Sequence, residues 1–285
     1  MQVEKIAIIG LGLIGGSLAR ALRFKAGVDY IVAVDKDAES IKQAIDEGVI
    51  KEGFSELDTS VFDSNIIFIC TPVKASLEYI KLLSGRVKKG CIITDVCSTK
   101  SEIINLADSL DPLPRFVGGH PMAGAEKIGY SFGFPELFEN ANYILMPGKG
   151  ADKEATQCVA DLVKSIGAIP FEMDISEHDY FLACISHLPH VAATVLVNLV
   201  REAEEKSGKG TLEKLAAGGF RGITRIASSS PEMWENIIFS NKEKIKGVLA
   251  RYVELINEFI SSIEAGENER IHTLFKTAKE FRDKV

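Results

Sequence analysis

A glycine-rich segment near the amino terminus, IIGLGLIGGSLA, constrains the fold more than any other feature of the chain. Gly10, Gly12 and Gly15 have the spacing GxGxxG, directly after a β-type run and directly before a helical pattern. Such a turn lets the backbone approach a pyrophosphate closely and points the amino end of a helix at it. The segment therefore predicts a dinucleotide-binding βαβ unit.

The next predicted strand, YIVAVD, ends in Asp35, twenty positions after Gly15. An acidic side chain there accepts hydrogen bonds from an adenosine ribose and repels a ribose phosphate, which favours NAD over NADP. The other predicted cofactor contacts lie on the glycine turn and after the strand NIIFIC: Leu13, Ile14, Thr71 and Pro72.

Short apolar runs alternate with helical patterns through the first part of the chain. The predicted strands are KIAIIG, YIVAVD, NIIFIC, CIITDV, RFVGG, NYILMP and IPFEM. Continuous rather than alternating hydrophobicity indicates strands that are buried on both faces, as in a parallel sheet covered by helices. We expect an α/β Rossmann domain, doubly wound and mainly parallel, over residues 1–173.

Residues 174–285 show only helical periodicity and predict an all-α domain. The segment FLACISHLPHVAATVLVNLVREAEE is apolar around most of its circumference, which predicts burial within this domain or between subunits. KEKIKGVLARYVELINEFISSIE has a single apolar stripe, as expected for a helix packed on one face.

Composition excludes several classes of protein. Thirty-three basic against forty acidic residues give a net charge of −7, which argues against a nucleic-acid partner. We see no apolar run near the ~20 residues that span a bilayer and no leader pattern, so we expect a cytoplasmic protein without a membrane segment. The five cysteines include no CxxC pair, which predicts neither disulfides nor a zinc site. Four of them lie in apolar surroundings and are expected in the core, whereas Cys97 lies in a polar loop, where a reactive thiol is the alternative.

Two segments carry the candidate catalytic groups. GGHPMAG places His120 on a constrained turn after a predicted strand, at the sheet edge where α/β proteins bind ligands. DVCSTKSEI places Ser98 at the same edge. The alternative for this loop is structural, since Thr99 and Glu102 have the spacing of a helix capping box. Lys100 is then a charge near the pocket mouth or a solvated side chain.

The helical part contains a second group of candidates. In SHLPH, His187 and His190 lie three apart, and Pro189 predicts a kink in the helix. Further metal ligands are missing, so a buried histidine pair, satisfied by backbone or lining a substrate cavity, is favoured over a metal site. Arg221 and Arg225 lie four apart in GGFRGITRIA and suggest a carboxylate clamp, with a salt-bridged surface pair as the alternative. Trp234 follows one turn into the next predicted helix.

In this order and spacing, GLGLIGGSLA, TPV, DVCSTK, GGHPMAG, SHLPH, GGFRGITRIA and SPEMW resemble the prephenate/arogenate dehydrogenases of tyrosine biosynthesis. The resemblance covers nearly the whole chain. It implies a Rossmann domain followed by an all-α dimerisation domain, an intertwined homodimer, NAD as cofactor and an active site between the domains.

The resemblance also implies roles for individual residues. His120 takes the proton of the ring hydroxyl, with Ser98 hydrogen-bonding beside it. Arg225 binds the ring carboxylate. The other implied substrate contacts are His190, Glu126, which helps gate the pocket, and Trp234. Gly222 departs from the pattern, because an acidic residue is common there, so an ionic gate using that position is in doubt.

The implied reaction is oxidative decarboxylation of prephenate, arogenate or both, and the sequence does not choose between them. Tyrosine is a plausible product-like inhibitor. Two alternatives remain open: another Rossmann-plus-helical nicotinamide dehydrogenase of the β-hydroxyacid type, which uses a catalytic lysine, and a non-catalytic NAD-sensing protein.

Overall fold

The structure of the chain, a computed structural model, describes residues 3–125, 127–208 and 210–284. Within them, eight strands form one sheet with the spatial order β3-β2-β1-β4-β5-β6-β7-β8. The strands are β1 Lys5–Ile9, β2 Tyr30–Val34, β3 Glu52–Phe54, β4 Ile66–Ile69, β5 Ile92–Asp95, β6 Arg115–Pro121, β7 Asn142–Pro147 and β8 Ile169–Glu172.

The sheet confirms the predicted doubly wound architecture. Strands β1 to β6 pair in parallel, β7 runs antiparallel to β6, and β8 is parallel to β7. The strand order reverses beside β1, and a crevice at the carboxyl ends of the strands is the expected ligand site in such sheets. The sequence prediction missed β3, an edge strand of three residues, EGF, with a glycine at its centre.

Helices cover both faces of the sheet. Every residue of β4 and of β5 is buried, because apolar side chains from helices pack above and below them in two separate clusters. The helices of this domain are α1 Leu13–Phe24, α2 Ala38–Asp46, α3 Thr59–Phe62, α4 Val73–Leu83, α5 Ser101–Ser109 and α6 Lys153–Ser165, with a 3-10 turn at Tyr130–Phe132.

After β8 the described chain is helical, which confirms the predicted all-α domain. Its elements are α7 Ile175–Leu182, a π-turn at Ala183–His187, α8 Leu188–Ser207, α9 Leu212–Leu215, α10 Gly218–Thr224, a 3-10 turn at Arg225–Ser228, α11 Pro231–Ser240, α12 Lys242–Glu264 and α13 Asn268–Arg282.

Helix α7, the π-turn and α8 form one continuous helical segment, Ile175–Ser207. By length and composition this segment could cross a membrane, with a mean hydropathy of 1.6 in its most apolar window, so our expectation that no apolar stretch reaches that length was wrong. Only 22% of that window is buried within the single chain. At its amino end, however, Asp179 is fully buried and hydrogen-bonded to the start of α5 in the sheet domain.

Candidate active site

The glycine turn between β1 and α1 has the geometry of a phosphate cradle. Gly10 has a φ of +97°, and a Cβ at Gly15 would lie 1.9 Å from the Gly10 carbonyl oxygen, so both positions require glycine. A Cβ at Gly12 would meet nothing within 4 Å. Gly12 is also the N-cap of α1, and no side chain caps that helix end. The first N–H groups of α1 therefore face open space that an anion can occupy.

Three further predicted cofactor residues lie at the same sheet edge. The Asp35 carboxylate, after β2, accepts hydrogen bonds from the backbone N–H groups of Leu11 and Asp37. Thr71, after β4, approaches the turn so closely that its Cγ2 would lie 3.0 Å from a Cβ at Gly10. Pro72 is the exposed N-cap residue of α4. The carboxyl ends of β1, β2 and β4 thus meet around the glycine turn.

The two candidate catalytic residues lie at the carboxyl ends of neighbouring strands. His120 is the next-to-last residue of β6 and is 7% exposed. Ser98 is half-buried on the bend that follows β5, the strand that pairs with β6. The structure therefore places both at the edge that carries the glycine turn.

A chain of hydrogen bonds runs from His120 into the helical domain. His120 Nδ1 lies 2.8 Å from His178 Nε2, and His178 Nδ1 lies 2.8 Å from Asp179 Oδ1. Both His178 and Asp179 are fully buried. The two imidazole rings meet edge to face, at an interplanar angle of 76°.

The Asp179 carboxylate is held in its ionised form. Its oxygens also accept the backbone N–H groups of Lys100 at 2.9 Å and Ser101 at 2.8 Å, at the start of α5. Burial by itself raises the pKa of Asp179, but the hydrogen bonds from His178 and from the start of α5 outweigh it and lower the pKa to about 2. An ionised carboxylate only accepts hydrogen bonds, so His178 Nδ1 must carry a proton.

The direction of these hydrogen bonds then determines which ring nitrogen of His120 carries the proton. When each of the two rings carries one proton, His178 Nε2 accepts and His120 Nδ1 donates. His120 Nε2 is left as a free acceptor, which is the form that a general base needs.

The pKa of His120 is also shifted in the direction that favours the neutral ring. Burial lowers the pKa of His120 well below 6.5, and the neighbouring His178 and Lys100 lower it further. A lowered pKa means that the neutral base persists as the pH falls below the ordinary histidine range.

A buried ion pair supports the peptide that precedes His120. Lys100 Nζ pairs with Asp95 and donates to the Gly119 carbonyl at 2.7 Å, while Asp95 Oδ1 accepts the Gly119 N–H at 3.1 Å. Asp95 also accepts the N–H of Cys97, one residue before Ser98. Asp95 and Lys100 therefore fix both candidate catalytic loops.

Two expectations about the Ser98 loop were wrong. Lys100 is fully buried and paired, rather than solvated or at a pocket mouth. The start of α5 is capped by Asp179 from the helical domain, not by a capping box, and the Thr99 hydroxyl instead lies 2.8 Å from the Ser240 hydroxyl.

Cys97 is buried, which raises the pKa of its thiol to about 12, so it is not a reactive thiolate.

A second cluster lies around Trp234 in α11. The ring of His190 stacks on Trp234 at 3.9 Å between centroids, and the ring of His187 meets it at 6.0 Å, nearly perpendicular. Asn241 contacts His187 Nδ1 at 3.3 Å and donates to the Asp179 carbonyl at 2.7 Å, which links this cluster to the His120 chain. Within the described residues the buried Trp234 Nε1 has no hydrogen-bond acceptor.

The remaining predicted substrate contacts are less closely defined. Arg225 begins the 3-10 turn after α10, is exposed in the single chain, and lies on an element that packs against α8, which carries His190. Arg221 Nε donates to the Ala216 carbonyl at 3.0 Å, and the α-helix that carries it ends at Thr224, before Arg225. Gly222 is exposed, and a Cβ there would meet nothing within 4 Å. Glu126 lies outside the described residues.

Sequence reasoning missed His178, Asp179, Asp95 and the buried position of Lys100. One signal was present for the first two, because an adjacent His and Asp stand at the start of a segment that becomes strongly apolar, EHDYFLACI. A charged residue on a buried helix face is usually either paired with another polar group or part of a functional site.

A glycine turn that fits a dinucleotide, with a buried histidine at the same sheet edge, is typical of a nicotinamide-dependent dehydrogenase. The comparisons with known proteins make this specific. Residues 18–170 match the family model for the prephenate dehydrogenase nucleotide-binding domain, and residues 174–277 match that for the prephenate dehydrogenase dimerization domain. The chain belongs to the prephenate dehydrogenase family.

Named relatives agree over nearly the full length. Prephenate dehydrogenase of Bacillus subtilis is 38% identical over 282 residues, covering 98% of this chain and 76% of the relative. The structure of prephenate dehydrogenase from A. aeolicus with hydroxyphenyl propionate and NAD+ is 31% identical, with a TM-score of 0.90 and coverage of 99% and 98%. Synechocystis arogenate dehydrogenase is 28% identical, with a TM-score of 0.87 and coverage of 98% and 99%. The chain is an NAD-dependent oxidoreductase, and the glycine turn with Asp35 fits that cofactor.

We predict that two glycine substitutions in the turn separate cofactor binding from folding. Gly12→Ala places a methyl group in the open space and leaves the Tm unchanged, but it raises the Kd for NAD about tenfold or more, corresponding to about 1.4 kcal/mol. Gly15→Ala forces a clash with the Gly10 carbonyl and costs ~1–3 kcal/mol of stability. Calorimetric NAD titration and thermal unfolding measure both effects. Wild-type NAD affinity in Gly12→Ala would show that the phosphates lie elsewhere.

Proposed function

We propose that this protein catalyses the NAD-dependent oxidative decarboxylation of prephenate to 4-hydroxyphenylpyruvate, of arogenate to tyrosine, or of both, in tyrosine biosynthesis. The observation that carries the proposal is the hydrogen-bonded series from Asp179 through His178 to His120, which ends at the sheet edge occupied by the glycine turn. Family membership supports the substrate class.

In this proposal, His120 Nε2 accepts the proton of the C4 hydroxyl as the hydride leaves C4. Bound NAD⁺ supplies the hydride acceptor. Ser98 hydrogen-bonds to the same hydroxyl and orients it. The positive charge that develops on His120 is stabilised through His178 by the Asp179 carboxylate, in the way that a carboxylate supports the imidazole of a hydrolase triad.

The proposed reaction balances without a further reactant. Loss of the hydride and of the hydroxyl proton converts the C4 carbinol to a ring carbonyl. The bond to the ring carboxylate then breaks, CO₂ departs, and the electron pair completes the aromatic ring. His120 returns its proton to the phenolate oxygen. The products are the phenol, CO₂ and the reduced cofactor, and aromatisation supplies the driving force.

We assign the far side of the substrate to the helical domain. Arg225 pairs with the ring carboxylate, because guanidinium donors match a carboxylate in a planar fork. His190 and Trp234 contact the substrate away from the reacting carbon. Two observations support this: their rings stack, and Trp234 Nε1 has no acceptor among the residues that the structure describes. Glu126 remains a proposed gate residue.

Four further expectations belong to the proposal. We place the domain boundary after residue 173 and the protein in the cytoplasm, and tyrosine competes in the substrate cavity. We also propose a homodimer formed by the helical domain, because this domain exposes large apolar side chains in the single chain and matches a dimerization domain. Examples are Val195, Leu199, Ile263 and Phe275, each at least 60% exposed.

A direct assay tests the function. Purified protein is mixed with NAD⁺ and either prephenate or arogenate, and the absorbance of the reduced nicotinamide is followed together with CO₂ release. The proposal requires equal amounts of reduced cofactor and CO₂ from at least one substrate. NAD binding without turnover of either substrate would favour the NAD-sensing alternative.

We predict that His120→Asn lowers kcat by ~10²- to 10⁴-fold, the usual contribution of general-base assistance. The Kd for NAD and the Tm stay close to the wild-type values. His272→Asn is the matched control, because His272 is an exposed histidine in α13. An unchanged kcat in His120→Asn would remove this residue from the chemistry.

A further inference from the structure

The long helical segment Ile175–Ser207 contains a π-turn in its middle. At Ala183–His187 the helix widens, and the Leu188 N–H donates to the Ala183 carbonyl, five residues back instead of four. A π-turn of this kind holds one residue more than the α-helix it interrupts, and such turns are frequent at functional sites. The turn lies between the Asp179–His178 pair and His190, so it sits between the two parts of the proposed active site.

Proline chemistry explains why the turn occurs here. Pro189 has no N–H to offer, and its ring would crowd the carbonyl of Ile185, four residues earlier, in a regular α-helix. The wider turn relieves that clash while the helix continues. His190 Nδ1 lies 2.9 Å from the Ser186 carbonyl and contributes a hydrogen bond within the disturbed region.

The extra residue changes which side of the helix His190 occupies. His190 follows His178 by twelve positions. At about 100° per residue, twelve steps in a regular α-helix leave the two side chains about 120° apart. One residue absorbed by a π-turn removes about 100° of that rotation, so the two side chains lie about 20° apart. The π-turn therefore aligns the two histidines on one side of the segment.

The observed contacts agree with this alignment. His178 reaches His120 at the sheet edge, and His190 stacks on Trp234 in the neighbouring cluster. Asn241 bridges the two parts, since it contacts both the Asp179 carbonyl and His187. With His190 turned by a further 100° or so, it could not stack on Trp234 while His178 held His120.

We propose that the π-turn sets the rotational register of the helical segment in the active site. It brings His190, on the far side of the turn, onto the same face as His178, and Pro189 holds the helix in this register. The inference rests on the proposed function for the role of His190. The alignment itself does not depend on the reaction.

The test compares a deletion with an insertion. Deleting Ile185 together with Pro189→Ala allows an unbroken α-helix that keeps His178 and His190 on one face. Inserting one alanine between residues 185 and 186 turns His190 away by about another 100°. Ile185 is 67% exposed, and Ile185→Ala is the matched control that removes its side chain without shortening the helix.

We expect the deletion variant and Ile185→Ala to keep kcat/KM within about threefold of wild type, because neither change rotates His190 relative to His178. We expect the insertion variant to raise the substrate KM at least about tenfold, because small misplacements of a binding group are costly. The Kd for NAD stays unchanged in all three. A deletion variant that fails to fold, or that folds but loses as much as the insertion variant, overturns the proposal.

A second readout is independent of catalysis. Trp234 is the single tryptophan of the chain, and we expect the His190 imidazole stacked on it to quench its fluorescence. The deletion variant should keep the wild-type emission, and the insertion variant should become brighter. Wild-type protein that turns over neither substrate refutes the proposed function alone, whereas equal emission from the deletion and insertion variants refutes the register proposal alone.

Discussion

The active site depends on one buried carboxylate. Asp179 belongs to the first helix of the helical domain, yet it caps the start of α5 in the sheet domain and accepts a hydrogen bond from His178. These bonds keep its pKa near 2, which corresponds to about 2 to 3 kcal/mol of stability. Because the pKa is lowered by folding, this stability is present above the ordinary aspartate range and is lost as the pH falls toward 2. The same contacts join the domains and orient His120, the proposed base.

The Lys100 and Asp95 pair complements this junction from the sheet side. A buried ion pair gains little stability against an apolar replacement, because desolvation offsets the attraction. Here the ion pair serves to hold the surrounding backbone in position. The pair binds both the N–H and the carbonyl of Gly119 and, through Cys97, the loop of Ser98. Lys100 also bonds to Asp179 through its backbone N–H, so the two buried networks meet at one residue. His120 is thus fixed from its own backbone and from its ring.

The sequence predicted what local patterns encode. The glycine spacing and the apolar runs identified the fold and the cofactor, and the histidine turn singled out His120 as a candidate, because each depends on residues close together in the chain. The cap of α5 could not be predicted, since Asp179 lies 78 residues along the chain from Ser101, whose N–H donates to it. The burial of Lys100 depends likewise on contacts with β6. Strand β3 is too short and too rich in glycine to show a period, and Pro189 indicated a distortion without revealing that it is a π-turn.

Asp179, acting through His178, leaves His120 neutral with its proton on Nδ1. Long-range proton–nitrogen NMR on protein labelled with nitrogen-15 histidine measures this directly, with His120→Asn assigning the signal. We expect the Nδ1–H form of His120 at neutral pH, persisting as the pH falls below about 6.5. An Nε2–H form, or protonation of His120 at or above about pH 6.5, would contradict it.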